Sequence, residues 1–236
     1  MMIKKLTLGG TPKIVLSVKD NAWLAQTNRP RLFDLVEFRI DLVSSLELKS
    51  LLRTTIPTIL TIRSKEEGGG WNDSELNRLS LYKKFIPHVS AVDIELSSKS
   101  ILDNVIENAH DEKKGGRPLR KVIVSYHNFD KTPSGVELDK ILKRAKAAGA
   151  DIVKVATFAK DHKDIQKLAR FTVENANQNI VTIAMGEVGA LSRLFFPALG
   201  SLLIYAPLSS KDKTAPGQID CKELSALVKR FYPMPR

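Results

Sequence analysis

The chain has very little cysteine and no long apolar run. Cys221 is its single cysteine among 236 residues, which excludes an internal disulfide and favours a reducing compartment. No stretch of roughly 18 or more apolar residues appears, so the sequence predicts no membrane-spanning helix. The first ten residues hold no apolar run long enough for a signal peptide. We therefore expect a cytoplasmic protein that does not engage membranes.

Sequence signatures of bound cofactors are also missing. No glycine fingerprint of a dinucleotide-binding fold follows the first predicted strand. Histidines and carboxylates do not show the spacing of a zinc site. The glycines at 68–70 are not followed by the lysine and hydroxyl residue of a phosphate-binding loop. The sequence therefore predicts neither a metal nor an organic cofactor.

Positive charge exceeds negative charge. There are 37 lysines and arginines against 26 acidic residues, which gives a net charge of +11 and a pI near 9.7. Such an excess suits nucleic acid, an anionic membrane surface or a small acidic substrate. The basic residues are spread over predicted helix faces, as Lys163, Lys167 and Arg170 are, and are not gathered with aromatic residues. We therefore expect no nucleic-acid partner and favour a small anionic substrate.

Eight short runs rich in Val, Ile and Leu alternate with segments of helical periodicity, as in parallel strands covered by helices. The predicted strands are 13–20, 35–42, 58–64, 91–96, 121–129, 151–159, 180–186 and 201–208. This alternation predicts an α/β fold, a (β/α)8 TIM barrel, with residues 1–236 as one catalytic domain. A doubly wound open sheet is the structural alternative. The residues before the first strand are expected to form a short extension or hairpin that closes the barrel bottom.

Apolar faces and capping patterns predict the helices between the strands. Two capping boxes mark predicted helix starts, Asn72-x-x-Glu75 and Ser134-x-x-Glu137. The three clearest apolar faces are Leu76, Leu79, Tyr82, Phe85 and Ile86; Leu138, Ile141, Leu142, Ala145 and Ala148; and Ile165, Leu168, Ala169 and Val173.

Charged residues stand where a barrel core is expected. Alternate residues of a strand share a face, so the second strand can turn its apolar residues outward only if Glu37, Arg39 and Asp41 face inward. Buried ionisable groups are costly unless they pair or take part in chemistry. They lie late in their strands, toward the C-terminal mouth where barrel enzymes hold their active sites. The same alternation turns inward Thr61, Arg63, Asp93, Glu95, Ser125, His127, Lys154 and Ala156.

Lys154 is the most informative of these residues, because it lies in an apolar strand in which a solvated lysine has no place. Two interpretations remain open. Lys154 is either an ion-pair partner of Glu37 or Glu95, or the nucleophile that forms a Schiff base with a small anionic ketone. His127 lies one strand away and faces the same interior, which favours proton transfer for it over a structural role.

Two loops at the predicted mouth carry polar groups. After the third strand, the glycines at 68–70 predict a flexible loop that lets Glu67 reach back over the mouth. After the eighth strand, residues 209–218 combine lysine, hydroxyl, Pro-Gly and amide groups, which suits a mobile lid over an anionic ligand. For each residue taken singly, a merely solvated loop is the alternative.

In their order along the chain these motifs resemble type I 3-dehydroquinate dehydratase, the Schiff-base-forming family of the shikimate pathway. The resemblance runs from the second strand to the last loop. The motifs that carry it are Glu37-x-Arg39-x-Asp41, Thr61-x-Arg63-x-x-x-Glu67-Gly68-Gly69, Asp93-x-Glu95, Ser125-x-His127-x-Phe129, Lys154-x-Ala156, Met185-Gly186, Ser192-Arg193 and Ala215-Pro216-Gly217-Gln218.

The resemblance implies a role for each matching position. Lys154 would form the imine, His127 would take the C2 proton and then assist loss of the C1 hydroxyl, and Glu67 would orient His127. The reaction would convert 3-dehydroquinate to 3-dehydroshikimate without a metal or organic cofactor, and relatives suggest a homodimer. The implied substrate-binding residues are Glu37, Arg39 and Arg63 at the ring hydroxyls, and Arg193, Thr214 and Gln218 at the carboxylate.

Two positions depart from the family pattern. Asn128 stands where the family commonly has Asp, which would lower the pKa of His127 if that Asp tunes it. Thr214 stands where Ser is common, and it keeps the hydroxyl. Two alternative functions also remain: a class I aldolase or transaldolase-like barrel with a phosphate site after the last two strands, and a basic barrel that only binds an anionic polymer.

Overall fold

The computed structural model describes residues 6, 11–19, 32–43, 54, 56–111, 120–213, 215 and 217–233. Each of the eight predicted strands is found within these ranges. The predicted end of the first strand at Asp20 and most of the predicted N-terminal hairpin lie outside them. The strands are β1 (Lys13–Val18), β2 (Leu35–Arg39), β3 (Thr58–Thr61), β4 (Ala91–Glu95), β5 (Lys121–Asn128), β6 (Ile152–Phe158), β7 (Ile180–Met185) and β8 (Leu203–Pro207).

The strands form one parallel sheet that closes almost completely into a barrel. Their order is β7-β6-β5-β4-β3-β2-β1-β8, so β1 pairs with both β2 and β8. Just before β8, the Leu202 backbone N–H donates to the Ile180 carbonyl at 3.0 Å, and the Thr182 backbone N–H donates to the Ser201 hydroxyl at 3.0 Å. These bonds join the β7 and β8 edges. The barrel prediction is therefore confirmed, and the open-sheet alternative is wrong.

Apolar side chains pack on both sides of the barrel wall. Outside it, strand residues such as Leu16, Val36 and Val124 pack against the helices. Inside it, the lower part of the lumen is filled by residues such as Val15, Leu35, Ile59, Ile123 and Val181. Leu6 is 5% exposed and belongs to this inner cluster, so at least this part of the predicted N-terminal extension packs inside the barrel.

The described helices are α1 (Glu75–Phe85), α2 (Leu102–His110), α3 (Gly135–Ala147), α4 (His162–Glu174), α5 (Ser192–Phe195) and α6 (Cys221–Phe231). None of the helices in the described ranges is long and apolar enough to cross a membrane. The capping box of α3 is confirmed, with the Ser134 hydroxyl accepting from the Glu137 N–H. The box predicted at Asn72 is wrong, because Ser74 caps α1 by accepting from the Asn77 N–H at 3.2 Å.

Two of the three predicted apolar faces are partly wrong. Leu76 is 75% exposed, and α1 buries Arg78 in addition to the predicted Tyr82 and Phe85. Val173 is 56% exposed, and α4 buries Phe171 and Thr172 beside two predicted residues. In α1, hydrogen bonds from the buried Arg78 to groups on the barrel wall fix the inward face. The face predicted for α3 is confirmed for its four buried members, Leu138, Ile141, Leu142 and Ala145.

The second and third strands end earlier than predicted, and local hydrogen bonds explain both ends. After β2 the chain turns into a 3-10 helix at Ile40–Leu42, which the Val43 N–H closes on the Ile40 carbonyl. After β3, the Ile62 carbonyl accepts from the Arg78 Nε at 2.8 Å. The Ile62 N–H lies 3.4 Å from the Tyr82 hydroxyl. Helix α1 thus takes the backbone groups that would have continued the strand.

The observed helix faces predict how two leucines contribute to the free energy of unfolding. Leu138→Ala should lower the free energy of unfolding by about 2–5 kcal/mol, because Leu138 is 0% exposed and its loss leaves a cavity. Leu76→Ala, as the matched control, should change it by less than about 0.5 kcal/mol. Urea denaturation of the full chain measures both. Equal losses in the two variants would contradict the assigned face of α1.

Candidate active site

A cavity opens at the C-terminal ends of the strands. Its empty space is about 510 Å³ including the open mouth, a size that suits a small ligand. The cavity unites nearly all the residues that the sequence marks as candidates. Those that line it are Glu37, Arg39, Arg63, Glu67, His127, Lys154, Arg193 and Gln218. Thr214, the remaining candidate, lies outside the described residues.

Lys154 extends from β6 into the centre of this cavity and is 5% exposed. Its Nζ donates to Asp93 Oδ2 at 2.9 Å and lies 3.9 Å from Glu37 Oε1. The same atom sits 4.1 Å from the centroid of the Tyr205 ring, within the range of a cation–π contact. Lys154 therefore pairs with Asp93 and Glu37. The predicted pairing with Glu95 is not found, because Glu95 pairs with two arginines.

Asp93 is the hub of the buried ion pairs. Besides Lys154 it accepts from Arg63 Nη2 at 2.7 Å and from the Ser125 hydroxyl at 2.7 Å. Burial alone would raise the pKa of Asp93, but the charges of Arg63 and Lys154 outweigh burial and hold this pKa far below its usual range. Asp93 therefore stays ionised, and its negative charge is shared between the lysine and the arginine.

Glu37 forms the second carboxylate beside Lys154. Its Oε2 accepts from the Ser17 hydroxyl at 2.6 Å, and its Oε1 accepts from the Thr61 hydroxyl at 2.8 Å. The alternation of β1, β2 and β3 brings all three side chains to the lumen, as predicted for Glu37 and Thr61. Two hydroxyl donors fix the carboxylate while leaving it within reach of the lysine.

His127 and Glu67 form a pair on the other side of the cavity. The backbone N–H of His127 donates to Glu67 Oε2 at 2.9 Å, and Nδ1 of the ring lies 2.9 Å from the same oxygen. The other carboxylate oxygen, Oε1, accepts from the Ser97 hydroxyl at 2.5 Å. A carboxylate at Nδ1 favours the tautomer with a proton there, which leaves Nε2 as the basic nitrogen.

The environments of this pair move the two pKa values in opposite directions. Burial raises the pKa of Glu67 to about 7, against the lowering effects of the Ser97 hydroxyl and Arg63. Burial, Arg63 and Lys154 together lower the pKa of His127 well below its usual value. His127 is therefore neutral near pH 7, the form that can accept a proton.

The loop that carries Glu67 forms a tight turn, and Glu67 reaches back over the mouth as predicted. Residues Lys65–Glu67 form a 3-10 turn, and Gly68 follows in the left-handed region at φ 77°. A Cβ on Gly68 would lie 2.4 Å from the Phe129 ring, and one on Gly69 would lie 2.1 Å from the Arg63 carbonyl oxygen. The glycines therefore allow close packing that holds Glu67 against β5.

Arg39 and Asp41 form a bidentate pair at the rim. Arg39 Nε and Nη2 donate to the two carboxylate oxygens of Asp41 at 3.0 and 2.7 Å. The Gly70 N–H also donates to Asp41, at 3.0 Å. Burial raises the pKa of Asp41, but the Arg39 hydrogen bond and charge more than offset it, and the net change is downward. Arg39 is thereby fixed at the cavity wall.

Arg193 and Gln218 lie on the opposite side of the mouth. Arg193 Nε donates to the Gly217 carbonyl at 2.9 Å, and its Nη1 donates to the Tyr205 carbonyl at 3.2 Å. Burial lowers the pKa of Arg193 to about 10, so the guanidinium remains charged at neutral pH. The Gln218 Oε1 accepts from the Ala215 N–H at 3.3 Å. The end of the predicted lid segment is therefore joined to Arg193, while lid movement stays a prediction.

A family model described as type I 3-dehydroquinase matches residues 15–232. The chain belongs to this family. The 3-dehydroquinate dehydratase of Methanococcus maripaludis is 37% identical over 198 residues, covering 83% of this chain and 87% of that protein. The 3-dehydroquinate dehydratase of Thermodesulfovibrio yellowstonii is 32% identical over 239 residues, covering 95% and 97%. The resemblance stated from the motifs is thus confirmed.

A solved structure of the same family shares the fold over almost the whole chain. The type I 3-dehydroquinate dehydratase of Clostridium difficile, with covalently modified comenic acid, is 29% identical with a TM-score of 0.84. The match covers 98% of this chain and 97% of that one. Because the chain belongs to a dehydratase family, the alternative of a class I aldolase or transaldolase-like barrel is not supported.

Asn128, which departs from the type I 3-dehydroquinase pattern, forms its hydrogen bonds with residues other than His127. Asn128 Oδ1 accepts from the backbone N–H groups of Asp130 and Lys131, at 3.0 and 2.9 Å, and its Nδ2 donates to the Tyr126 hydroxyl at 3.1 Å. These bonds order the turn after β5. The lowered pKa of His127 has other causes, namely burial and the cations Arg63 and Lys154.

Sequence reasoning missed four residues of the site. The alternation of strand residues could have identified Ser17 and Tyr205, because they face the lumen from β1 and β8. Ser97 follows β4 in a turn, and Arg78 lies on a helix, so no strand pattern marks them. In the described part of the chain, no group of three or more histidine, cysteine or carboxylate side chains is arranged to hold a metal ion.

The bond from Ser97 predicts a measurable change at Glu67. Ser97→Ala should raise the pKa of Glu67 above about 7, because the lost hydroxyl donor stabilises the ionised carboxylate. Carboxyl-carbon NMR titration of the labelled protein follows this group. Ser80→Ala, which removes an exposed helix hydroxyl, is the control and should leave the titration unchanged. A midpoint that stays or falls in Ser97→Ala would contradict the assigned bond.

Proposed function

We propose that Lys154 and His127 carry out the dehydration of 3-dehydroquinate to 3-dehydroshikimate through a lysine imine. The observation that carries this proposal is the buried Nζ of Lys154, held among Asp93, Glu37 and Tyr205 in the cavity that His127 also lines. A hydro-lyase of the shikimate pathway is the activity that belongs to the type I family.

The first step joins the lysine to the substrate. Lys154 gives up one ammonium proton, and its amine adds to the C3 ketone to form a carbinolamine. That proton passes to the carbinolamine hydroxyl, which leaves as water and gives a protonated imine. This cation draws electrons from the neighbouring C2–H bond and makes its proton acidic. Asp93 and Glu37, at 2.9 and 3.9 Å from Nζ, lie where they would stabilise the positive charge of the imine.

Proton transfer falls to His127. In this proposal Nε2 takes the C2 proton, while Glu67 holds Nδ1 and stabilises the imidazolium that forms. The protonated ring then gives its proton to the C1 hydroxyl, which leaves as water as the C1–C2 double bond forms. Hydrolysis of the imine by water returns the amine and releases the product, so the net reaction is loss of one water.

The substrate carboxylate is the proposed ligand of Arg193 and Gln218. Arg193 is 4% exposed and charged, and a buried guanidinium favours a carboxylate as its partner. Gln218 lines the same side of the cavity. Glu37, Arg39 and Arg63 would then hold the ring hydroxyls, and the Thr214 hydroxyl would join the carboxylate from the lid. This orientation would turn C2 toward His127.

A homodimer in the cytoplasm completes the proposal. Exposed apolar side chains around the end of α6 support it, since Leu191, Phe195 and Phe231 are 60%, 45% and 58% exposed. Sedimentation velocity of the full chain should show a species of twice the 26.2 kDa chain mass. A single species of one chain mass at micromolar concentration would contradict the dimer.

Three substitutions should each impair a different part of the reaction: imine formation, proton transfer or substrate binding. Lys154→Met should abolish turnover and the imine, because no amine remains. His127→Gln should lower kcat by about 10²–10⁴-fold, the usual contribution of a general base, while the imine still accumulates. Arg193→Met should mainly raise KM. Ultraviolet absorbance of the conjugated enone product follows turnover, and intact mass of the protein mixed with substrate reports the imine.

Arg170→Met is the control for this set, because Arg170 is exposed and paired with Glu174 far from the cavity. It should keep wild-type turnover. Turnover that survives in Lys154→Met would overturn the imine mechanism. Product formation at the wild-type rate in His127→Gln would remove the histidine from the reaction and leave the imine intact.

A further inference from the structure

Arg78 is a fully buried arginine that reaches the site from outside the barrel. It lies on α1 and is 0% exposed. Its Nε donates to the Ile62 carbonyl at 2.8 Å, and its Nη1 donates to the Ser98 hydroxyl at 3.0 Å. Its Nη2 donates to Glu95 Oε2. A guanidinium with this many partners at the β3–β4 edge is fixed in place.

Glu95 connects Arg78 to the catalytic cluster. Its Oε2 faces Arg78, while its Oε1 lies 3.2 Å from Arg63 Nη1. Arg63 in turn donates to Asp93, and Asp93 accepts from Lys154. The result is a continuous row of buried charges that alternate in sign. It runs from outside the barrel wall to the proposed nucleophile.

We propose that Arg78 is a positioning residue that neutralises Glu95. Arg63 can then balance the charge of Asp93, and Lys154 stays available as an amine for imine formation. This inference rests on the proposed function. Arg78 does not line the cavity described above, so it acts through Glu95 and Arg63 and does not touch the substrate.

The direction of the effect follows from the charges. Without Arg78, Glu95 would keep one uncompensated negative charge and would attract Arg63 more strongly. Arg63 would then balance less of the charge on Asp93. Both changes favour the ammonium form of Lys154, because a nearby uncompensated carboxylate stabilises a cation. Imine formation, which needs the amine, would require a higher pH.

The groups that face this row come from several elements, and each adds to the local field. Around Arg78 they are Glu75, Tyr82 and Glu95, and around Glu95 they are Arg63, Glu67, Arg78 and Tyr82. Around Lys154 they are Glu37, Arg39, Arg63, Asp93, His127, Arg193 and Tyr205. Glu95 itself stays ionised, since Arg63 and Arg78 lower its pKa against the effect of burial. Arg78 and Glu95 do not line the cavity, so either charge can be removed without changing the cavity lining.

The test is the pH dependence of imine trapping. Full-length protein is mixed with 3-dehydroquinate and cyanoborohydride at a series of pH values, and intact mass gives the trapped fraction. Arg78→Met should move the half-maximal pH upward by about 0.5–1 unit, the effect of one nearby charge that is partly screened. Arg78→Lys, which keeps the charge, should restore most of the shift. Arg170→Met should leave the half-maximal pH at the wild-type value.

Substitutions at Glu95 make the test independent of how well Arg78→Met folds. Glu95→Gln removes the negative charge and should move the half-maximal pH downward, opposite to Arg78→Met. The double variant Arg78→Met/Glu95→Gln should lie near the wild-type value, because both charges of the pair are gone. Agreement of these signs supports the proposal.

Other outcomes overturn it. A fall in turnover in Arg78→Met with an unchanged half-maximal pH would make Arg78 a structural residue only, and so would a downward shift. A Glu95→Gln variant without a downward shift would remove Glu95 from the charge balance. Absence of any trapped adduct in the wild-type protein would instead overturn the proposed function, and the inference with it.

Discussion

Lys154 is 5% exposed, and a lone ammonium buried so deeply would be costly, so the surrounding barrel has to compensate its charge. Asp93 and Glu37 supply that compensation, and the Tyr205 ring adds a favourable face. Each carboxylate then needs partners of its own. Asp93 takes Arg63, and Glu37 takes two hydroxyls. One buried lysine thus explains why several neighbouring strands carry polar side chains that face the lumen.

The strand period explains why so much of the site could be predicted. Alternation by two residues is enough to turn Glu37, His127 and Lys154 inward, because the apolar residues between them must face the helices. The residues that stabilise the core and the residues that form the proposed active site lie at different heights in the barrel. Apolar residues such as Ile123 and Ile152 fill the lower lumen, and ionisable residues follow later in the same strands. Stability and chemistry therefore occupy different levels of one barrel.

Side-chain hydrogen bonds explain what could not be predicted. An apolar count favours Leu76 for the inner face of α1, whereas the structure buries Arg78, because Ile62 and Glu95 offer it acceptors that only the folded chain brings together. In the same way, the glycines before α1 predict a loop but not its shape, a tight turn in which Gly68 packs against Phe129. Such choices depend on contacts between residues far apart in sequence, which periodicity does not contain.

The most direct test of this account is to locate the covalent bond between protein and substrate. Wild-type protein is reduced with borohydride in the presence and absence of 3-dehydroquinate, digested, and mapped by mass spectrometry. One substrate-dependent adduct is expected, on the peptide that contains Lys154. An adduct on a different lysine, or none on the folded protein, would contradict this expectation and leave Lys154 as an ion-pair partner of Asp93.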